Sequence, residues 1–401
     1  MKRRVFVVGA KRTAIGVFGG GLKNVPATKL GSIAIKAALE QSGIEVSDIN
    51  EVIMGNVLIA GQGMGPGRQA SIYAGIPAEI PAYTVHMVCG SGMKSIILGA
   101  KDIAYGEAEV VVAGGMESMS QAPYLVNYKT RFGAKFGDMT MVDHMVSDGL
   151  TDVFNHVHMG ITAEEIVSRY DISREEQDEY ALESQNRARN AIAAGKFKDE
   201  IVPVEVVERK VTKIVDTDEG PRETSLEKLA KLRPAFKKDG SVTAGNSSTL
   251  NDGASAIVLA SEDYVKAHNL TPLAEIIAWG QGGVDPIVMG LGPVPATDNA
   301  LKYAGLKFTD IDLIEANEAF AAQTLGVIRN WNKMYGVSKE YILERANVNG
   351  GAIALGHPIG CSGNRITVTL LYEMMKRNLE LGLATLCIGG GMGTAVIIKK
   401  V

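Results

Sequence analysis

The chain has 401 residues, 46% apolar and 21% charged, with a net charge of −4. A single hydrophobic core rarely grows past about 250–300 residues, so more than one is expected. No basic excess is present to gather nucleic acid or an anionic membrane surface, and neither is expected as a partner. Glycine stands out at 46 of 401 residues, against a usual ~7%, which points to tight turns and close backbone approaches. The three cysteines, Cys89, Cys361 and Cys387, are an odd set that does not suit a secreted disulfide framework. A reducing, cytoplasmic location is expected.

In chain order, VFVVG (5–9) reads as a strand, Thr28 to about Ser42 as a helix, and EVIMGNVL as a second strand. Helical spacing follows Cys89 in CGSGMKSIILGAKDIAYG, and VVVAGG (110–115) is again a strand. Strands alternating with helices predict a mainly parallel sheet covered by helices. The stretch 119–250 differs in character, being rich in Met, Asp, Lys and Glu. Within it, Thr162-Ala-Glu-Glu165 and Ser173-Arg-Glu-Glu176 both fit a capping box and mark two helix starts. The second helix is expected to reach Ala194, with Gly195 as its stop. The run KLAKLRPAFKK (228–238) reads as a solvated face or a phosphate contact. SAIVLAS then reads as a strand returning to the first domain.

The opening script returns near the C-terminus. ALEQSGIEVSDINEVIMGN (38–56) parallels ALKYAGLKFTDIDLIEAN (300–317), and CGSGMKSIILGA (89–100) parallels CSGNRITVTLLY (361–372). EVVVAGGMES (109–118) parallels TLCIGGGMGT (385–394). Three matches in one order indicate an internal duplication, with two similar domains packed about a pseudo-twofold axis. A ligand site at their junction draws on both copies.

Several side chains carry reactive potential. Cys89 stands at a helix start, where the dipole is expected to lower its thiol pKa below the free value of about 8.5; a small buried hydrophobe is the alternative. GSGMKS fails the phosphate-loop spacing, because Met93 occupies the position of the required glycine. His357 lies in the turn-rich NVNGGAIALGHPIGCSG, as a catalytic or a merely hydrogen-bonded loop histidine. Cys387 precedes three glycines whose successive N–H groups suit an oxyanion, without the spacing of a dinucleotide loop. Asn317 in EANEAFAA reads locally as a helix cap. His156 and His158 have no third ligand nearby, and no metal is expected.

Together these segments resemble the thiolase family. VCGSGMKS, NEAFAAQ, GGAIALGHPIGCSGNR and CIGGGMG look like its four signature blocks, in family order. RTAIGVFGG, GGMESMS and AGNSSTLNDGAS are also thiolase-like, and HMGITAEE (158–165) resembles the loop signature of the short-chain biosynthetic acetyltransferases. The resemblance spans essentially the whole chain. It implies an α/β thiolase fold: two duplicated mixed-sheet α/β core domains related by a pseudo-twofold, with an inserted loop domain. The implied boundaries are 1–118 with 251–270, 119–250, and 271–401.

By the same resemblance, Cys89 takes an acetyl group from acetyl-CoA while His357 accepts its proton. Cys387 then removes a proton from a second acetyl-CoA. The enolate oxygen is held by His357 and a water on Asn317, and the acyl-enzyme oxyanion by the N–H groups of Cys89 and Gly389. Ser248 and His158 are carried to the pantetheine, Met159 and Met289 to the acyl pocket, and Arg222 to the adenine or phosphates. Cys361, where many relatives have alanine, is read as a small buried residue. Coenzyme A thioesters are substrates, no separate cofactor is implied, and a homotetramer is expected, its dimers linked near 124–145. A degradative 3-ketoacyl-CoA thiolase for longer chains is the alternative. A decarboxylating ketoacyl synthase is disfavoured by Asn317 and the second cysteine. A non-catalytic acyl-CoA-binding relative is disfavoured because all four reactive side chains are present.

Overall fold

The structure, a computed structural model, describes residues 3–208 and 211–401. Its main strands are β1 (Val5–Thr13), β2 (Glu51–Gly55), β3 (Ala82–Val85), β4 (Val110–Ser118), β5 (Asn251–Ser261), β6 (Ala274–Gly283), β7 (Leu313–Ala316), β8 (Leu381–Ile388) and β9 (Met392–Lys399). Its main helices are α1 (Ala27–Ser42), α2 (Ser91–Tyr105), α3 (Met159–Tyr170), α4 (Arg174–Ala193), α5 (Pro293–Ala304), α6 (Ala321–Tyr335) and α7 (Ser362–Arg377). The strands lie in the order β7-β8-β9-β6-β1-β5-β4-β2-β3.

That order reads as two runs facing each other. From the centre outward, β1-β5-β4-β2 answers β6-β9-β8-β7, and the repeated sequence segments fall on β2 with β7, β4 with β8 and α2 with α7. Within the sheet the halves pair through Phe6 with Glu275 and Val7 with Ala274. Expecting a mainly parallel sheet was wrong, because the sheet is mixed. β5 runs antiparallel to β1 and β4, and β9 antiparallel to β6 and β8, whereas β2–β4 and β7–β8 are parallel. Hydrophobic periodicity locates strands but carries no information about direction, which the long insertion before β5 reverses.

Period-two burial divides the strands between layers. Val111 and Ala113 of β4 face a central core shared with Ile96 and Ile97 of α2 and Ile366 and Leu370 of α7. Val110 and Val112 face the opposite way, toward Leu30 and Ile35 of α1. In the second half, Leu383 and Ile397 face Ala296 and Ala300 of α5. The result is five layers, with α2 and α7 paired in the middle. Glycine permits that pairing: a Cβ on Gly92 would lie 2.9 Å from three backbone atoms of residues 360–364, and one on Gly363 would lie 2.6 Å from Met93 N.

Residues between β4 and β5 form the covering segment. The Ser173–Glu176 capping box is present, and Gly195 takes φ +68 after α4. The Thr162 box is absent, because Thr162 lies inside α3. His158 is the cap instead, its Nδ1 accepting from Gly160 N at 3.0 Å.

Candidate active site

Cys89 sits in the turn between β3 and α2. The preceding Val88 has φ 44, a left-handed conformation that a β-branched residue rarely adopts. Gly90 packs closely behind it, where a Cβ would lie 2.3 Å from Ile388 Cδ1, next to Cys387. The backbone amides of Gly389 and of Cys89 itself face the thiol and favour its charged form. These are the two amides expected at the acyl-enzyme oxyanion, and the structure brings them to one sulfur.

The expected lowering of the Cys89 pKa is not found. Burial pushes the thiol up to about 11, with a smaller push from Glu117, and the two amides offset only part of this. Loss of hydration outweighs the partial charge of a helix start. The thiol therefore needs a base.

His357 is the candidate for it. It lies in the loop that precedes α7 and is buried, and desolvation with the nearby Arg365 charge lowers its pKa to about 3. The imidazole is thus neutral. Its Nδ1 is 2.5 Å from Ser362 Oγ, which donates to Pro358 O at 3.0 Å. With that proton committed, Ser362 accepts from Nδ1–H, and the lone pair falls on Nε2. Nε2 has no hydrogen-bond partner among the described residues.

Asn317 follows β7 directly and is not a helix cap, since α6 begins at Ala321 behind Phe320. Its N–H donates to Thr385 O at 3.0 Å, and its Nδ2 lies 3.5 Å from His357 Nδ1. Its Oδ1 is buried with no partner among the described residues, free to hold a water. Cys387, at the end of β8, is pushed up by burial first and then by the neighbouring Cys89. Cys387 packs with Met159, Met289, Ala319 and Phe320. Cys361 is buried before α7, with its sulfur 3.4 Å from Ser255 Oγ.

A cavity of about 590 Å³ runs from the surface to His357. His158, Met159, Arg222 and Ser248 line it, whereas Met289 is buried in one apolar cluster with Met159 and is not part of the lining. Arg222 reaches the wall from a loop anchored by its N–H to Gln185 Oε1 at 2.9 Å. Ser248 N donates to Ala319 O at 2.9 Å, tying the end of the covering segment to the turn after Asn317.

Three contributors escaped the sequence reading. Phe236 belongs to the run read as a solvated face, yet it lines the cavity and stacks on His158 at 4.8 Å between ring centroids. The aromatic ring after Pro234 in that basic run was the available signal. Ser362 sits one helical turn after Pro358 and had no distinct signature. Met119, Met145, Leu150 and Ile359 form an apolar wall that also packs against Cys89, scattered across three segments of sequence.

A duplicated α/β sheet with two thiols, a neutral imidazole and paired backbone amides at its seam defines an enzyme class, the cysteine-dependent acyltransferases. Residues 5–263 match the family model of the thiolase N-terminal domain, and residues 270–400 that of the thiolase C-terminal domain. The chain belongs to the thiolase family. It is 52% identical over 400 residues to an acetyl-CoA acetyltransferase of Pseudomonas aeruginosa, covering 99% of each sequence. Among solved structures it resembles acetyl-CoA acetyltransferase of Syntrophomonas wolfei, with TM-score 0.97 and 41% identity over 100% of each chain. It also resembles human mitochondrial 3-ketoacyl-CoA thiolase, with TM-score 0.94 and 48% identity over 100% of this chain and 99% of that one. No helix of the described residues is long and apolar enough to cross a membrane.

Proposed function

We infer that the protein is an acetyl-CoA C-acetyltransferase, joining two acetyl-CoA into acetoacetyl-CoA and CoA and catalysing the reverse thiolysis. The observation that carries this is the meeting of the Cys89 thiol with the Gly389 and Cys89 amides, in a chain 52% identical to acetyl-CoA acetyltransferases over its full length. Cys89 Sγ attacks the thioester carbonyl while His357 Nε2 takes the thiol proton. The two amides hold the oxyanion, and CoA leaves as a thiolate that takes the Cys387 proton, so His357 keeps its Nε2–H and Cys387 becomes the thiolate base. Cys387 removes a methyl proton from the second acetyl-CoA. His357 Nε2–H and a water on Asn317 Oδ1 hold the enolate oxygen, whose carbon attacks the acetyl-enzyme. Splitting the condensation this way avoids a direct attack of one weak nucleophile on another thioester.

His158, Arg222 and Ser248 bind the coenzyme A portion, and Met159 and Met289 flank the acyl pocket. No cofactor is required for this chemistry. A homotetramer in the cytoplasm is our reading of its working state. Its support is the exposed apolar set Phe132, Phe136, Met139 and Met141, which a second copy would cover. The degradative 3-ketoacyl-CoA reading is less favoured, because relatives 52% and 53% identical are named acetyl-CoA acetyltransferase and probable acetyl-CoA acyltransferase, against 48% for the 3-ketoacyl-CoA thiolase. Thiolysis of 3-ketoacyl-CoA substrates from four to twelve carbons tests it. Turnover confined to acetoacetyl-CoA supports the proposal, and equal turnover on long chains rejects it.

A further inference from the structure

We propose that Glu117 is a positioning residue, whose single carboxylate holds the thiol-bearing half and the imidazole-bearing half in register. Glu117 lies on β4, fully buried, and no salt bridge to it is found among the described residues. Its Oε1 accepts from Asn56 Nδ2 at 2.8 Å and Leu58 N at 3.2 Å. Its Oε2 accepts from Val57 N at 3.1 Å and Gly360 N at 3.0 Å. Residues 57 and 58 form part of the apolar floor against which Cys89 packs. Gly360 lies three residues after His357 and two before Ser362, which fixes the imidazole. One side chain therefore ties the surroundings of the nucleophile to the loop of the base.

All four bonds come from N–H donors, so every lone pair of the ionised carboxylate is used. A protonated carboxyl would surrender one acceptor position and release a donor. Burial nonetheless pushes the group up to about 7. The fit leaves no slack: a Cβ on Gly360 would lie 2.7 Å from Glu117 Oε2, and one on Gly115 would lie 2.3 Å from Gly360 O. The titratable groups facing Glu117 are Asp252 of β5, Cys89 at the start of α2 and Cys361 at the start of α7. Its negative charge disfavours the Cys89 thiolate, so it does not activate the nucleophile. Its contribution is geometric.

The two effects have opposite signs, which gives the test. In Glu117→Gln the charge is lost, so alkylation of Cys89 by iodoacetamide should move to lower pH. Turnover should fall all the same, because a side-chain amide cannot accept from four donors. Small misplacements of reacting groups cost on the order of 10²-fold, and a loss of tenfold or more in kcat for acetoacetyl-CoA thiolysis is expected, with KM within about threefold. Asn56→Ala, which removes one donor and keeps the charge, should lower kcat by a smaller factor and leave the alkylation pH unchanged. It serves if the Gln variant does not fold. A kcat within twofold of wild type in the folded variants overturns the proposal, as does equal loss through KM. The kinetic readout rests on the acetyltransferase reading, which the wild-type enzyme tests in the same assay. Alkylation of Cys89 needs no substrate and separates the two failures.

Discussion

His357 and Ser362 are joined by a 2.5 Å contact between Nδ1 and Oγ, five residues apart at the start of α7. Because the hydroxyl donates to Pro358 O, the contact selects the tautomer that leaves Nε2 basic. Ser362→Ala should keep the fold and lower kcat for acetoacetyl-CoA thiolysis on the order of tenfold, the scale of a mispositioned general base. Ser362→Thr should recover part of the loss. Steady-state kinetics of the three proteins check this.

Cys387→Ala should stop condensation yet still form the acetyl-enzyme, since the first transfer uses Cys89 and His357. Incubation with labelled acetyl-CoA, followed by peptide mapping, should place stoichiometric label on the Cys89 peptide. An unlabelled Cys89 peptide refutes the division of roles between the two thiols.

Phe236 stacks on His158, meets Phe320 edge-on at 6.0 Å, and occupies space that only Gly160 leaves open. Phe236→Ala removes a wall of the cavity without touching a reacting group. KM for acetoacetyl-CoA should rise about tenfold, equivalent to roughly 1.4 kcal/mol, while kcat changes less than threefold.

Glu315 is buried 3.8 Å from Arg365, and burial raises its pKa from 4.5 to about 8 despite that cation. A carboxyl held up in the folded state stabilises below its unfolded value. That contribution is lost as pH rises through the folded value. The wild-type protein should therefore lose this stabilisation between pH 4.5 and about 8. In Glu315→Gln the contribution is absent. The Tm difference, wild type minus variant, should be larger at pH 5 than at pH 8, whatever constant offset the unpaired Arg365 adds. Thermal melts at the two pH values decide it.

Gly363→Ala would place a methyl 2.6 Å from Met93 N, against backbone that cannot step aside. Overpacking of this kind costs about 1–3 kcal/mol or more. Urea unfolding should show a loss in that range, with activity reduced because α2 and α7 carry Cys89 and Ser362 at their starts.

The sequence was most legible where chemistry and turns coincide. Cys89, His357, Asn317 and Cys387 each lie beside glycine or at a strand end, and their neighbours form recognisable blocks. The duplication announced the paired halves, and Ser173 with Glu176 announced α4. Strand direction was not legible, since Val258 in β5 alternates the same way whichever way the strand runs. The state of the Cys89 thiol was misjudged because a dipole is visible in sequence and desolvation is not. Thr162 looked like a cap because the ring nitrogen of His158 was not considered as one. Phe236 was hidden among lysines, and the four donors of Glu117 come from residues 56–58 and 360, which only the folded chain assembles.

The last strand, β9, lies between β6 and β8 rather than at an edge. During synthesis, β6, α5, β7, α6, α7 and β8 all emerge before the strand that joins β8 to β6. The second half cannot close its sheet until residues 392–399 are available, although N-terminal regions generally fold first. Cys387 and the Gly389 amide sit on the hairpin that this last insertion completes. A chain cut before residue 392 should therefore keep Gly389 but lose the hairpin that positions its amide, along with the closed sheet. An incomplete translation product would then be catalytically silent and left with two unpaired strand edges, a ready target for proteolysis.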